Sequence, residues 1–307
     1  MSATSQTGFF DTMPFDPTAS LTPTGNLRRR SAVSRAVQIA ATAAALFAVA
    51  VLVIVCYGVA SRGASALSFS FVIDNPSGLA SGGIFNALAG TVEIVAFGAL
   101  IALPLGILTG LYLTEFAGPR SNTAGVLKLA LDMMAGLPTI VVGLFVYGLI
   151  VIPQHRQSGF AGAVALSIVM LPIMARTSQE VLLLVPNSLR EAADALGVSR
   201  WRTVLSVILP AATAGIVTGA ILATARAAGE TAPLLICDSL YANDSTSFNL
   251  FHGVPSMSMF IYQSYDLPLQ EAVTRAWGAA FVLMMLILIA NIGARLLLAR
   301  SRAKMAT

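Results

Sequence analysis

The stretch TVLSVILPAATAGIVTGAILATA, residues 203–225, runs for 23 residues without a charge between Arg202 and Arg226. A bilayer core about 30 Å thick is crossed by about 20 helical residues, so this stretch predicts a membrane-spanning helix. Its apolar residues do not alternate with polar ones, as they would in a strand of a membrane barrel. The stretch therefore places the chain among the helical membrane proteins.

Five further uncharged runs of similar length occur in the chain. They contain 26, 21, 23, 19 and 19 residues and lie between Arg35 and Arg62, Glu93 and Glu115, Asp132 and Arg156, Arg156 and Arg176, and Arg275 and Arg295. Together the six runs predict an all-α integral membrane protein with six transmembrane helices. The expected helices cover about 36–60, 84–113, 124–151, 159–178, 207–236 and 274–299. The uncharged run 245–265 is more polar and is expected to be an outer loop or a helix lying in the membrane interface.

The composition agrees with a membrane protein. Charged residues make up 10% of the chain, hydrophobic residues make up 56%, and the mean hydropathy is +0.81. A soluble domain has about 25% charged residues, so an ordinary soluble enzyme is excluded. The sequence contains no Ser/His/Asp arrangement and no metal-ligand cluster, and the two cysteines, Cys56 and Cys237, lie in apolar stretches. We therefore expect no catalytic centre, no bound metal and no nucleic-acid partner.

The basic residues predict the orientation in the membrane. With a cytoplasmic N-terminus and six alternating helices, the cytoplasmic segments hold eleven Lys and Arg residues and the external loops hold two. This positive-inside bias predicts a multi-pass protein with both termini in the cytoplasm. Residues 1–35 are expected to be a disordered tail. Because this polar tail precedes it, 36–60 is interpreted as a membrane anchor and not a signal peptide.

A short cytoplasmic helix is predicted at about 189–196, between the fourth and fifth spans. Ser188 and Glu191 have the spacing of a capping box, in which each side chain bonds to the other residue's backbone amide. Gly197 suits a left-handed helix end. Such a helix either connects two spans or docks a partner protein, with Arg190, Glu191 and Asp194 as its polar rim.

This segment resembles the EAA loop of ATP-binding-cassette importer permeases. Glu191-Ala192-Ala193, then Gly197 after three residues, and later Val207-Ile208-Leu209-Pro210 follow the pattern EAA-xxx-G-(nine residues)-I-x-L-P, with Val207 where Ile is usual. The wider sequence resembles the A-type (PstA) permease subunits of phosphate-specific importers over about 84–300. The resembling stretches are GLPTIVVGLFVYG (136–148), PIMARTSQEVLLLVPNSLREAADALG (172–197) and ARAAGETAPLL (225–235).

The resemblance implies a type I importer permease fold at 84–300, with the coupling loop at 186–210. It implies a subunit of the bacterial plasma (inner) membrane that imports inorganic phosphate. Its expected partners are a C-type permease as heterodimer, two ATPase subunits and an extracytoplasmic phosphate-binding protein. The chain has no G-x-x-x-x-G-K-[ST] loop, so ATP and Mg would be bound by the partner ATPases, with no cofactor in this chain. The implied ATPase-coupling residues are Ser188, Arg190, Glu191, Ala192, Ala193 and Gly197.

Charges inside the predicted spans are the candidate substrate residues, because burying a charge in a bilayer is costly. Arg226 lies 16 residues beyond Pro210, about 24 Å along a helix, and Glu230 follows one turn later, so the two can pair. Thr231 adds a hydroxyl. The pair is either a buried ion pair that locks the fifth helix, or a phosphate site in which Arg226 offers its two-pronged guanidinium.

Three other charged positions have weaker interpretations. Arg176 either extends its head group to the interface or, as the resemblance implies, is a second anion ligand or gate residue. Lys128 and Asp132 have the spacing of a structural pair. Glu93 has no partner nearby in the sequence, which leaves an arginine across the bundle as its candidate partner, in a supporting role.

Three alternatives remain open at this point. An arginine in the pathway does not choose between phosphate and another oxyanion such as sulfate or molybdate. A phosphate-signalling scaffold is a second alternative. A passive channel is the third, and the EAA loop argues against it because a pore needs no ATPase-docking helix.

Pro104, Pro138 and Pro172 interrupt three of the predicted helices and would act either as hinges or as packing kinks.

Overall fold

The computed structural model describes residues 25–78, 81–118, 121–238 and 249–305 of the chain. These residues fold into α-helices joined by short turns. A 3₁₀ turn covers Ala64–Ala66, and wide π-turns cover Tyr112–Phe116, Tyr147–Val151 and Val204–Ile208. The helices are α1 Gly25–Gly63, α2 Phe69–Ile73, α3 Phe85–Leu111, α4 Asn122–Gly136, α5 Thr139–Val146, α6 Ile152–Gln154, α7 Gly159–Leu183, α8 Asn187–Ala195, α9 Arg200–Thr203, α10 Leu209–Ala228, α11 Ala232–Cys237, α12 Met257–Asp266 and α13 Gln270–Met305.

The all-α membrane class is confirmed. Within the described residues, five helical stretches are long and apolar enough to cross a membrane, and a sixth is present if one bent pair counts as a single span. The five stretches are Leu27–Ala66, Phe85–Phe116, Gly159–Leu183, Arg200–Ala228 and Gln270–Gly293. The expected boundaries differ most at the start of the chain, because α1 begins at Gly25 and makes residues 25–35 helical. The first 24 residues of the expected tail lie outside the described part of the chain.

The predicted third helix, at about 124–151, is two helices that meet at an angle of 105°. Leu137 and Pro138 separate them and both have extended backbone, with ψ of 135° and 130°. Proline has no N–H to continue the first helix and forces the preceding residue out of the helical region. Pro138 then starts α5, since its carbonyl accepts a 2.9 Å hydrogen bond from the N–H of Val141. The predicted interruption at Pro138 is therefore a complete break.

The chain divides into two units, residues up to Tyr57 and residues from Gly58 onward. In the first unit α1 exposes large apolar side chains around its circumference, including Phe47 (72%) and Ile54 (68%). A helix that is apolar on all sides is suited to a membrane environment. In the second unit the Arg62 guanidinium lies 4.8 Å from the centre of the Trp277 ring on α13.

Helices α3 and α7 pack at close range because small residues line their contact. A Cβ at Gly98 would lie 3.0 Å from the carbonyl oxygen of Ala163 on α7, and a Cβ at Gly106 would lie 2.7 Å from the Cβ of Met174. A Cβ at Gly110 would approach the Cβ of Ser178 at the same distance, 2.7 Å. Small residues at four-residue spacing let two membrane helices approach along their length. Helices α3 and α7 therefore form the tight centre of the second unit.

Helix α10 packs on the same central helix in the same way. A Cβ at Gly215 would lie 2.4 Å from a methyl carbon of Val181, and one at Gly219 would lie 2.5 Å from the methyl of Thr177. The spacing Gly-x-x-x-Gly again permits close approach. Helix α7 is thus held between α3 and α10.

Helix α12 packs at the end of the bundle where α3 begins. Residues 239–248 lie outside the described part of the chain, and the rest of the predicted outer segment enters the fold through buried Met257 and Met259. The hydroxyl of Thr91 on α3 accepts a 2.8 Å hydrogen bond from the N–H of Met257. The segment expected to be an outer loop or an interfacial helix is thus helical at Met257–Asp266, and the first turn of this helix is buried.

Candidate functional site

The candidate substrate site lies at a break in the fifth span. Helix α10 ends at Ala228, and the N–H groups of Gly229 and Glu230 close it with 3.1 Å bonds to the carbonyls of Arg226 and Ala227. Helix α11 starts at Ala232, with Pro233 in its first turn, where a missing N–H costs nothing. The break therefore follows from the glycine and the proline. It places Arg226 in the last turn of α10, and Glu230 and Thr231 in the break between the two helices.

Arg226 and Glu230 come together as expected. The Nε of Arg226 lies 3.6 Å from Oε1 of Glu230, and the side chains are 60% and 16% exposed, respectively. Thr231 lies in the same break, half-buried, with its carbonyl accepting the N–H of Leu235 at 2.9 Å. Because the Arg226 side chain is open on most of its surface, it does not form a locked buried pair. Its charge is available to a ligand or to a partner subunit.

Arg176 lies in a different contact from the one expected. It forms an ion pair with Asp132 of α4, and it also donates to the carbonyl of Lys128 at 3.3 Å and to Gln179 at 3.2 Å. The structural pair predicted between Lys128 and Asp132 is therefore replaced by a pair between α4 and α7. These bonds to protein atoms make Arg176 a clamp between α4 and α7.

Among the described residues, Glu93 forms no ion pair with the arginine expected as its partner. Its Oε2 atom is buried, and among the described residues no group bonds to it. Asp238, 1% exposed, accepts the N–H of Val254 at 2.9 Å through Oδ1, while its Oδ2 has no partner in the described part of the chain. Asp238 follows α11 and lies outside the spanning stretches. Burial raises the pKa of Asp238 to about 7, and the nearby Glu93 carboxylate adds to the rise.

The predicted coupling helix is present as α8, but it begins differently. Pro186 is its N-cap residue, and no side chain caps this end, so the box expected between Ser188 and Glu191 does not form. The proline carbonyl accepts the N–H of Leu189 at 3.2 Å, which places Ser188 inside the first turn. The correction has a simple cause, because a proline with φ of −58° already has the backbone of a helix start.

The end of α8 is as the sequence predicts. Gly197 has φ of +68°, the left-handed conformation that glycine adopts without a steric penalty. Its N–H donates to the carbonyl of Asp194 at 3.0 Å, and the N–H of Val198 donates to the carbonyl of Ala193 at 3.1 Å. These two bonds form a complete Schellman end. Ala193 is buried, whereas Glu191 and Ala192 are exposed. The helix therefore presents an acidic, small-residue face outward.

Arg190, expected on the outer rim of α8, is turned inward. It donates to Glu115 at the end of α3, with Nη2 2.7 Å and Nε 3.2 Å from Oε1. It also donates to the carbonyls of Leu182 at 3.0 Å and Val185 at 2.7 Å, and to Oδ1 of Asn187 at 3.1 Å. A guanidinium has five N–H donors, and these bonds use all of them. Arg190 is therefore not available to a partner protein.

Sequence reasoning missed Glu115 and Asp238. Glu115 marks the end of an uncharged run, so it served only as a boundary, and its partner lies 75 residues away. Asp238 lies just beyond the predicted fifth span, and the group that bonds to its carboxylate, the N–H of Val254, is 16 residues away. An acidic residue directly next to an apolar run was the available signal in both cases. Within the described residues, no group of three or more His, Cys, Asp or Glu side chains is arranged to hold a metal ion.

The fold and the α8 loop are those of a membrane component of an ABC importer. The profile of the family described as "Binding-protein-dependent transport system inner membrane component" matches residues 102–303, so the chain belongs to that family. It is thus a multi-pass permease, which is a transport subunit and not an enzyme.

Curated relatives identify a narrower family within this one. The chain is 40% identical over 237 residues to the phosphate transport system permease protein PstA of Haemophilus influenzae, covering 77% of this chain and 83% of that protein. It is 36% identical over 259 residues to the PstA protein of Yersinia pestis, covering 84% and 87%. The chain therefore belongs to the PstA family of phosphate transport system permease proteins.

Solved structures support the fold alone. The chain is similar to a chain of the inward-facing MetNI methionine ABC transporter, with a TM-score of 0.55 and 21% identity over 71% of this chain and 93% of that one. It is also similar to a chain of a bacterial ABC transporter involved in the import of the polysaccharide alginate, with a TM-score of 0.51, 14% identity and coverage of 89% and 96%.

Proposed function

We propose that this chain is the permease subunit of an ATP-driven importer that carries inorganic phosphate into the cytoplasm, and that Arg226 binds the phosphate on its way. The observation that carries the proposal is the 60% exposure of the Arg226 side chain in a membrane-spanning stretch. Arg226 lies in the last turn of this stretch, which ends at Ala228. A charge exposed to lipid is unfavourable, so we expect the exposed side of Arg226 to face water or another subunit, and a transport pathway between two subunits provides both.

The chemistry of the site fits an oxyanion. A guanidinium can offer two parallel N–H donors to two oxygens of one phosphate. Glu230, 3.6 Å away, is beyond direct hydrogen-bond distance, so it balances the Arg226 charge without occupying its donors. When phosphate arrives, Glu230 repels it and so favours its release. Thr231 follows Glu230 directly in the chain, and we propose that its hydroxyl adds one more donor, with Glu93 in a supporting role.

Two exposed regions of the chain, the face that bears Arg226 and the outer face of α8, support a proposal for how the importer assembles. We propose that the face bearing Arg226 meets a second, C-type permease, and that a phosphate-binding protein delivers the ligand from outside the bacterial plasma membrane. On the cytoplasmic side, where we expect both termini, the exposed residues Leu189 and Glu191 of α8, with Leu196 just after it, dock on one of two ATPase subunits. These ATPases bind ATP and Mg. Their closure on ATP pulls α8 and turns the bundle outward to accept phosphate.

The test is uptake of labelled phosphate by the reconstituted complex in liposomes, in the presence of the binding protein and ATP. Arg226→Ala is expected to abolish uptake while the complex still assembles. Arg295→Ala, at an exposed arginine of α13, is the matched control and should transport normally. Normal uptake by an assembled Arg226→Ala complex would show that Arg226 does not bind phosphate in the pathway. Equal competition by sulfate would favour a broader oxyanion permease over a phosphate permease.

A further inference from the structure

Three helices meet at one side chain on the cytoplasmic side of the bundle. Arg190 belongs to the first turn of α8, its acceptors Leu182 and Val185 lie at the end of α7, and Glu115 lies in the π-turn that continues α3. The Leu182 carbonyl also accepts the N–H of Val185 at 3.3 Å, and Val185 follows α7 by two residues, so the guanidinium adds donors to the backbone that closes this helix end. Arg190 therefore completes the end of α7 and pairs with α3 at the same time.

Glu115 is committed to this contact. Its side chain is 2% exposed, and that of Arg190 is 22% exposed. A buried carboxylate without its cation is strongly unfavourable, so the two side chains hold each other in place. The wide turn Tyr112–Phe116, closed by a 2.8 Å bond from the N–H of Ala117 to the carbonyl of Tyr112, directs Glu115 inward.

The other end of α3 is attached to the outer part of the fold. Thr91 binds the N–H of Met257 at the start of α12, 24 residues before Glu115 and about 36 Å away along a helix. Between these two points, the glycine contacts of Gly98, Gly106 and Gly110 keep α3 tightly against α7. A displacement of α3 at Glu115 is therefore passed along a closely packed pair of helices.

We propose that the Arg190–Glu115 pair is the latch through which movement of α8 is transmitted to α3 and α7, so that both are positioning residues for ATP-coupled transport. The proposal rests on the proposed function in one respect, the docking of α8 on an ATPase. It gives Arg190 a role inside the permease, whereas the sequence predicted that Arg190 contacts the ATPase. With the latch intact, α8, α3 and α7 move as one body; without it, α8 moves alone.

The experiment measures both movement and coupling in the reconstituted complex. Spin labels are placed at Gly118 and Ala195, which are exposed and lie just after the α3 turn and at the end of α8, in a background with Cys56→Ala. In the complex with the native latch, addition of ATP should leave the distance between the labels unchanged. In Arg190→Gln the distance should change with ATP. Phosphate uptake per ATP hydrolysed should fall about tenfold, with the KM for phosphate unchanged.

Two variants control for simple loss of structure. Asp132→Asn breaks the ion pair between α4 and α7 and does not touch α8, so it should leave uptake per ATP unchanged. Arg190→Lys keeps the charge beside Glu115 but loses the forked donors, so it should lose coupling by a smaller factor. An assembled Arg190→Gln or Arg190→Lys complex with native coupling and a constant label distance would overturn the latch. The label distance does not depend on the substrate, so absence of phosphate uptake in the native complex would instead contradict the proposed function.

Discussion

Arg226 and Glu230 lie 3.6 Å apart across the break after α10, yet Arg226 is 60% exposed and Glu230 is 16% exposed. The anionic partner is therefore held by the protein, while the cationic one is open to its surroundings. This asymmetry is what a transient anion site needs, because the incoming phosphate finds the guanidinium accessible and meets a fixed negative charge behind it.

The first prediction concerns the geometry of the Arg226 side chain. Arg226→Lys keeps the positive charge but replaces a planar fork with a single ammonium, which cannot bind two phosphate oxygens in parallel. We expect phosphate uptake by the reconstituted complex to fall about tenfold, the equivalent of about 1.4 kcal/mol of lost binding. The control is Arg295→Lys on α13. Uptake equal to that of the native complex would show that only the charge of Arg226 matters.

The second prediction concerns docking through α8. Glu191 is exposed on the outer face of this helix, so Glu191→Lys reverses a charge at the proposed ATPase contact without disturbing the internal bonds of Arg190. We expect the amount of ATPase that co-purifies with the permease to fall about tenfold, because a lysine at position 191 no longer matches a partner surface that is complementary to an acid. Glu180→Lys, at an exposed acid on neighbouring α7, is the control. Unchanged assembly and unchanged transport-coupled hydrolysis in Glu191→Lys would argue against docking at this face.

Much of the fold could be predicted because it depends on local sequence. Uncharged runs of about 20 residues give the spans, and Gly197 gives the end of α8 because only the left-handed conformation closes that helix there. The position of Pro138 predicted an interruption, but the 105° angle after it depends on what α5 packs against. The predicted start of α8 was wrong because two local signals compete there. Ser188 predicts a capping box, but the fixed φ of Pro186 starts the helix two residues earlier.

The candidate site divides in the same way. Arg226 and Glu230 are four residues apart, so their pairing follows from the chain itself. The partner of Asp132 is Arg176, 44 residues away, and helical spacing alone suggested Lys128 instead. Pairs between distant helices are decided by how those helices pack, and here the packing is set by glycines such as Gly106.

The third prediction separates Arg176 from the substrate pathway. Its guanidinium bonds to Asp132 and to Gln179, so Arg176→Gln removes a clamp between α4 and α7. Because Arg176 and Asp132 are 32% and 64% exposed, we expect a loss of stability below about 1 kcal/mol. The KM for phosphate should stay unchanged in the uptake assay. An increase in the KM for phosphate at a normal level of assembled protein would show that Arg176 contributes to the anion site.

The fourth prediction tests the tight packing of α3 on α7. In Gly106→Ala the new methyl would lie 2.7 Å from the Cβ of Met174 and 3.1 Å from the backbone nitrogen of Ala175, so one of the helices must shift. We expect a loss of about 1–3 kcal/mol, measured as a lower midpoint of thermal unfolding in detergent. Gly125→Ala on α4, where no atom lies within 4 Å of the added Cβ, should be neutral or slightly stabilising. Equal midpoints for both variants would contradict close packing at Gly106.

The fifth prediction follows from the burial of Asp238. Burial raises the pKa of Asp238 to about 7 from its ordinary value of 3.8, so between these pH values the folded protein keeps a proton that the unfolded chain has released. The stabilising contribution of this carboxyl is therefore fully present below about pH 4, falls by about 1.4 kcal/mol for each pH unit up to about pH 7, and changes no further above that. Asp238→Asn removes this titration and keeps an oxygen to accept the N–H of Val254. Its unfolding midpoint should exceed that of the native protein by a margin that grows from about pH 4 to about pH 7 and is constant at higher pH. Asp74→Asn, at an exposed aspartate, should follow the native curve. A constant difference between Asp238→Asn and the native protein across this range would show that Asp238 is ionised in the fold throughout, in spite of its burial beside Glu93.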